Sequence, residues 1–69
     1  MSIIKVIEVL AESSESWEAA TKEAVAEASK TVHNIKSVYV KEFQAIVEGN
    51  QVVKYRVNVK ISFVVEDKR

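Results

Sequence analysis

The fold of this chain is decided by residues 48–65, which read EGNQVVKYRVNVKISFVV. From position 53 onward apolar and polar residues alternate, which predicts a β-strand with one buried face, because successive side chains point to opposite faces. The Gly49-Asn50 pair predicts a two-residue hairpin turn with positive φ at both central positions. We therefore predict a third strand over Gln51–Glu66, whose hairpin partners have residue numbers that sum to about 99. The apolar phase contains Val53, Tyr55, Val57, Val59, Ile61, Phe63 and Val65.

The segment before this turn, Lys36 to Glu48, reads as a second strand with an interrupted alternation. Val38 and Val40 share one phase, and the opposite phase is taken by Phe43, Ala45 and Val47. A phase change near Lys41-Glu42 predicts a β-bulge, or a switch in which face of the strand is buried.

The N-terminal half of the sequence predicts one strand and one helix. Ile3–Leu10 is rich in β-branched residues, so we expect a strand that is covered on both faces. Ser13 is the predicted N-cap of the helix, and we expect His33-Asn34 to end it, with Asn34 in the left-handed conformation. Apolar residues recur at helical spacing through Trp17, Ala20, Ala24, Ala28, Val32 and Ile35.

These elements predict an α+β fold of order β-α-β-β, in which a three-stranded antiparallel sheet wraps around one helix. Residues 1–69 form a single domain in this interpretation. A chain of this length buries only about 60% of its unfolded surface, and it has no Cys for disulfides. One helix cannot cover two long strands, so we expect the remaining apolar surface to be covered by other copies of the chain.

The balance of charges narrows the classes of function. Ten Lys and Arg residues offset ten Asp and Glu residues, which argues against a protein that binds nucleic acid. No apolar run approaches the ~18 residues that a membrane span needs, and the N-terminus lacks the apolar stretch of a signal peptide. We therefore predict a cytoplasmic protein with neither nucleic acid nor a membrane as partner.

The sequence offers no catalytic constellation. It has one His, one Gly and no Cys, so thiolate sites, paired His ligands and glycine-rich phosphate loops are excluded. We interpret His33 as a partner of the helix C-terminal dipole rather than as a base or a metal ligand. The prediction is that the protein is not an enzyme.

Two residues have both a structural and a functional interpretation. Trp17 fits the helix stripe and is predicted to anchor the helix on the sheet or on a neighbour, with a ligand contact as the alternative. Arg56 lies on the polar face of the third strand and opposes Phe43 by the pairing sum. This face is either solvated, or it meets a second copy and holds a ligand or an ion-pair cluster, with Glu42 as a candidate partner of Arg56.

Several short motifs, in order along the whole chain, resemble the dodecin family. They are Lys5-Val6-Ile7-Glu8, Ser13-x-x-Ser16-Trp17-Glu18-x-Ala20, Lys41-Glu42, Tyr55-Arg56-Val57 and Ser62-Phe63. The resemblance implies a hollow homo-dodecamer of 23 symmetry, about 94 kDa for twelve chains of 7.8 kDa. It also implies storage of a flavin (riboflavin, FMN or FAD), held in pairs between two-fold related subunits and not used for redox turnover.

The resemblance also implies which residues line the ligand site. Ser37 stands where flavin-binding members have a stacking Trp, Arg56 stands where they have a ring-binding Gln, and Glu42 matches an acidic position. Tyr39 is a candidate to replace the missing aromatic ring. The two changes imply weakened flavin binding, because a stacked ring contributes about 1–3 kcal/mol. The alternative is a flavin-free shell with a structural or divalent-cation role, calcium being the candidate ion, as in the branch of the family that lacks the stacking Trp.

Overall fold

A computed structural model describes residues 3–65. It contains β1 (Ile3–Ser13), α1 (Trp17–Ala28), β2 (Ile35–Glu48) and β3 (Gln51–Val65). The strands form one antiparallel sheet in the order β1-β3-β2. The predicted α+β fold of order β-α-β-β is therefore confirmed, while Glu66, the last residue of the predicted third strand, lies outside the described residues.

The core lies between α1 and the central strand. Val57, Val59 and Ile61 are fully buried, and they belong to the apolar phase that the sequence predicts. Ala20 and Ala24 face them from α1, and their small side chains let the helix lie close to the sheet. Each large aliphatic side chain buried in this way contributes about 1.5–3 kcal/mol.

The helix begins three residues later than predicted. Ser16, not Ser13, is the N-cap: its backbone is extended, with φ −171° and ψ 164°, and its hydroxyl accepts a hydrogen bond from the backbone N–H of Ala19 at 2.9 Å. Ser13 cannot cap α1 because β1 continues through it and pairs it with Tyr55. Its hydroxyl accepts instead from the backbone N–H of Glu15, which turns the chain between strand and helix.

The helix also ends earlier than predicted, at Ala28 with Ser29 as its C-cap. Asn34 has the predicted left-handed backbone, with φ +63°, but it leads into β2 instead of closing α1. The backbone carbonyl of Asn34 accepts a hydrogen bond from the N–H of Val64, so the segment is fixed by β3. His33 is exposed and lies well beyond the last helical turn, so its predicted role at the helix dipole is wrong.

The hairpin has the predicted turn, and its register changes along the ribbon. Gly49 and Asn50 both have positive φ, at +59° and +63°. Counted from the turn, the pairing starts at Glu48↔Gln51 and shifts by one residue between Val47 and Ile46. It shifts back to the first register between Glu42 and Val40. The predicted bulge at Lys41-Glu42 is confirmed, but the shift near the turn is not visible in the alternation.

The sheet is much longer than the helix that covers it. The structure extends over 57 × 19 × 13 Å, whereas the 12 residues of α1 span about 18 Å. Apolar side chains of β2 that α1 does not bury remain exposed, including Phe43 and Val47. No helix within residues 3–65 is long and apolar enough to cross a membrane.

Candidate functional site

All four residues predicted to line a ligand site lie on one side of the sheet. We call the side that packs on α1 the inner face and the opposite side the outer face. The register pairs Ser37 with Ser62, Tyr39 with Lys60, and Glu42 with Asn58, and these positions alternate with the buried residues of β3. Arg56 lies on the same face, because it falls between the buried Val57 and the inward-facing Tyr55.

The bulge in β2 is what places Glu42 on the outer face. Val40 opposes the buried Val59 and Phe43 opposes the buried Val57, so two residues stand between them where regular pairing allows one. A bulge of this kind sets its extra residue beside its neighbour on the same face. Lys41 and Glu42 therefore both project outward, and the phase change in the sequence is explained.

The predicted site residues are far apart within one chain. Ser37 lies opposite Ser62 of β3. From Ser62 to Arg56 the outer face of β3 advances by three positions. Successive positions on one face of a strand are separated by about 6.8 Å, so Ser37 and Arg56 are about 20 Å apart. One small ligand cannot contact both of these residues in the same chain.

Arg56 has a partner that the sequence analysis did not find. Its Nε donates to Oε2 of Glu12 at 2.7 Å, and its Nη2 lies 2.6 Å from the same oxygen. The residue opposite Arg56 on β2 is Gln44, not Phe43 as the pairing sum predicted, because the register is shifted there. The Gln44 amide oxygen accepts a long hydrogen bond from Nη1 of Arg56 at 3.5 Å. Within the described residues the ion-pair partner of Arg56 is thus Glu12, whereas Glu42 lies opposite Asn58 in the β2–β3 ladder.

Glu12 was missed because its role depends on pairing between the two ends of the chain. β1 continues to Ser13, which sets Glu12 directly opposite Arg56. The Arg56 hydrogen bond, with the positive charges of Arg56 and Lys54, holds the pKa of the Glu12 carboxyl below its ordinary value. The pair could not be predicted from the strand that the sequence indicates, because Glu12 meets Arg56 only when β1 extends past Leu10.

A second polar group occupies the middle of the outer face. The Nζ of Lys41 lies 3.6 Å from a carboxylate oxygen of Glu8. The side-chain amide of Asn58, together with the charge of Lys41, holds the pKa of the Glu8 carboxyl below its ordinary value. The amide oxygen of Asn58 is buried and has no hydrogen-bond partner within residues 3–65, so it remains an acceptor for a ligand or a second chain.

Around Ser37 the outer face offers a different chemistry. The hydroxyls of Ser37 and Ser62 form a hydrogen bond across the strands. The ring of Tyr39, one position along, is 65% exposed and rests on no other aromatic ring among the described residues. On β1, the large side chains Ile4, Val6 and Leu10 are exposed on the same face.

Trp17 belongs to the inner face, as the anchoring interpretation predicts. Its ring meets those of Phe43 and Tyr55 edge to face, with centroids 5.8 Å and 5.0 Å apart. Its indole N–H donates to the backbone carbonyl of Gln44 at 2.8 Å. This cluster of three rings holds the start of α1 against β2 and β3, on the opposite side of the sheet from the predicted ligand residues.

No group of three His, Cys, Asp or Glu side chains converges within residues 3–65. The same residues enclose no cavity large enough to be a pocket. Any metal or ligand site built from this part of the chain therefore needs residues from more than one subunit, or lies open on a face of the sheet.

Comparison with known proteins places the chain in a family. The dodecin family model matches residues 3–66, so this chain belongs to the dodecins. Among curated proteins, the calcium dodecin of Mycobacterium tuberculosis is 36% identical over 63 residues, covering 91% of this chain and 89% of the relative.

Solved structures show the same fold. Dodecin from Streptomyces coelicolor superposes with a TM-score of 0.90 at 27% identity, covering 97% of this chain and 96% of the relative. A Thermus thermophilus dodecin mutant gives a TM-score of 0.91 at 29% identity, covering 99% and 100%. The structure of M. tuberculosis calcium dodecin, described as a calcium-chelating antigen with a novel calcium-binding site, gives 0.81 at 31% identity, covering 97% and 96%.

Proposed function

We propose that this dodecin is a non-catalytic homo-dodecamer of 23 symmetry that binds and stores a small ligand of the flavin type between paired subunits. Ser37, Tyr39, Glu42 and Arg56 line the ligand site in this proposal, and the protein acts in the cytoplasm. Family membership supports a role in binding or storage rather than catalysis.

The observation that carries the proposal is the separation of the predicted site residues. Ser37 and Arg56 share the outer face but are about 20 Å apart in one chain. When two sheets meet antiparallel about a two-fold axis, the Ser37 end of one lies beside the Arg56 end of the other. A single ring can then contact both positions, and the axis generates a second, identical site.

The exposed apolar side chains of β1 support the same assembly. Ile4, Val6 and Leu10 are 63%, 56% and 65% exposed, although they belong to a regular strand. Soluble monomers rarely leave such a row of large side chains in water. The sequence predicts that β1 is covered on both faces. A second copy on the outer face would cover the side of β1 that α1 does not.

Tyr39 can provide the aromatic surface that Ser37 lacks. A flavin that is bound there supplies a planar, redox-active ring, and the phenol of Tyr39 offers an exposed face against which such a ring can stack. Ser37 is too small to obstruct this contact. The Arg56 guanidinium can donate hydrogen bonds to ring oxygens at the far end of the site.

The test is a titration of riboflavin followed by quenching of its fluorescence, together with the mass of the protein from light scattering. We expect a mass near 94 kDa and saturable quenching that Tyr39→Ala abolishes and Tyr39→Phe, which keeps the ring, retains. Ser37→Trp should raise the affinity about 5- to 150-fold, because stacking on an aromatic ring contributes about 1–3 kcal/mol. Binding that is equal in the Tyr39→Ala and Tyr39→Phe variants would contradict the proposed site.

A second candidate function, calcium binding by a flavin-free shell, is favoured by the relatives. The curated relative at 36% identity is named a calcium dodecin. Since no three acidic side chains converge within the described residues, a calcium site here would combine carboxylates from several subunits. Calorimetric titration of chelator-treated protein with calcium chloride tests this: micromolar binding without riboflavin quenching would favour the cation.

A further inference from the structure

The outer face carries a built-in anion beside one end of the proposed ligand site. Glu12, Arg56 and Gln44 form one row across all three strands, because Arg56 opposes Glu12 on β1 and Gln44 on β2. The row lies on the face proposed above for the ligand, so this inference rests on the proposed function.

The guanidinium of Arg56 is committed to Glu12 by two short contacts. Nε and Nη2 approach the same carboxylate oxygen at 2.7 Å and 2.6 Å, while the other oxygen lies 3.7 Å from Nζ of Lys54. Both side chains of the pair are only 35% exposed. Charge-assisted hydrogen bonds of this length are stronger than neutral ones, so the carboxylate occupies the part of Arg56 that would otherwise receive an anionic ligand.

We propose that Glu12 is a specificity-determining residue that makes this site reject phosphate- or carboxylate-bearing ligands in favour of neutral ones. Glu12 is tethered to the neighbouring strand, so its effective concentration at Arg56 exceeds that of any free ligand. An anion that approaches Arg56 must displace Glu12 and then lie beside its negative charge. A neutral ring meets neither penalty, and it can use the remaining guanidinium N–H groups as donors.

The residues at the two positions support this assignment. An Arg without an ionic partner at this position adds a positive charge that would attract anions and lower selectivity. Glu12 cancels that added charge locally. Lys54, 3.7 Å from the other carboxylate oxygen, helps to keep Glu12 ionised and oriented.

The test compares riboflavin, which is neutral, with FMN, which carries a phosphate, on the intact assembly. Glu12→Gln keeps the shape of the side chain and removes its charge, so the affinity for FMN relative to riboflavin should rise about fivefold, the upper range for a partly exposed ion pair. The gain should shrink as salt is added. The Glu12→Gln/Arg56→Gln double variant should lose the gain.

Glu8→Gln is the matched control, because it removes the same charge from the same strand and face, away from Arg56. Equal gains in FMN affinity for Glu8→Gln and Glu12→Gln would overturn the proposal, since net charge alone would then explain them. Inorganic phosphate, followed by calorimetry, separates this result from failure of the proposed function. If no flavin binds, Arg56-dependent binding of phosphate to Glu12→Gln still supports the role of Glu12, and its absence overturns that role.

Discussion

The two faces of β3 differ sharply although they are made of alternate residues of one strand. On the inner face Val57, Val59 and Ile61 are completely buried against α1 and its alanines. On the outer face Arg56 and Lys60 are partly exposed and lie among ion pairs and exposed apolar residues. Under α1 the inner face is covered by the chain itself, whereas the outer face has the mixed apolar and charged character of a surface that meets partners.

This difference shows that, in a small protein, the residues that determine the fold and the residues that determine binding can lie on opposite faces of one strand. The inner face specifies the subunit, and its requirements are met by local packing. The outer face holds the residues that we propose to line the ligand site, so substitutions there should change assembly and ligand choice more than the fold.

The largest effect is expected from a charge in the apolar part of the outer face. Leu10→Glu puts a carboxylate where the proposed assembly buries an apolar side chain, and burying an unpaired charge is very costly. The mass measured by light scattering should fall from about 94 kDa towards the 7.8 kDa of one chain. Ala26→Glu, on the exposed side of α1, adds the same charge and should leave the mass unchanged; equal dissociation in both variants would argue against this surface.

A cavity in the inner face should destabilise the subunit itself. Ile61→Ala removes part of a fully buried side chain and should lower the free energy of unfolding by about 2–5 kcal/mol, measured with denaturant at fixed protein concentration. Val6→Ala is the outer-face counterpart. Its effect should depend on protein concentration if a second copy covers Val6, and an effect as large as that of Ile61→Ala at every concentration would erase the distinction between the faces.

The cap of α1 can be tested by two neighbouring serines. Ser16→Ala removes the hydroxyl that accepts from Ala19 and should cost about 1 kcal/mol of stability in thermal unfolding. Ser13→Ala should cost less, because its hydroxyl holds only the turn before the helix. The reverse order would restore Ser13 as the cap that the sequence suggested.

The smallest effect concerns the pH dependence of the outer face. Hydrogen bonds and positive neighbours hold the pKa values of Glu8 and Glu12 below the ordinary value near 4.5. Their stabilising contribution is therefore complete above that pH and is lost as the pH falls through the lowered values. Between pH 5 and pH 3 the Glu8→Gln/Glu12→Gln variant should lose less stability than the parent chain, as followed by circular dichroism; identical losses would show that the two carboxylates are not responsible.

Local patterns predicted the elements of the fold, and non-local pairing set the details that were missed. The Gly49-Asn50 turn and the bulge at Lys41 are encoded by neighbouring residues, so both could be read from the sequence. The helix was predicted too long because Val32 and Ile35 continue the helical spacing, yet Ile35 pairs with Phe63 in the sheet. Ladder pairing outweighs an apparent periodicity of this kind.

The candidate site was predictable in part for the same reason. The shared face of Ser37, Tyr39 and Arg56 follows from the alternation of the hairpin strands, which are close in sequence. The partner of Arg56 does not follow from this alternation, because Glu12 is 44 positions away and contacts Arg56 only through β1–β3 pairing. The register shift near Val47 also exchanged Phe43 for Gln44 opposite Arg56, and no sequence pattern marks that shift.

The strand order has a consequence for how the protein forms. β3 is the middle strand of the sheet but the last of the three along the chain. Because β1 and β2 share no ladder, neither can form its strand pairing until β3 is present. We therefore expect the β2–β3 hairpin, whose strands are adjacent in the sequence, to form before β1 docks onto it. Until it docks, β1 is an unpaired and largely apolar strand that is open to pairing with another chain.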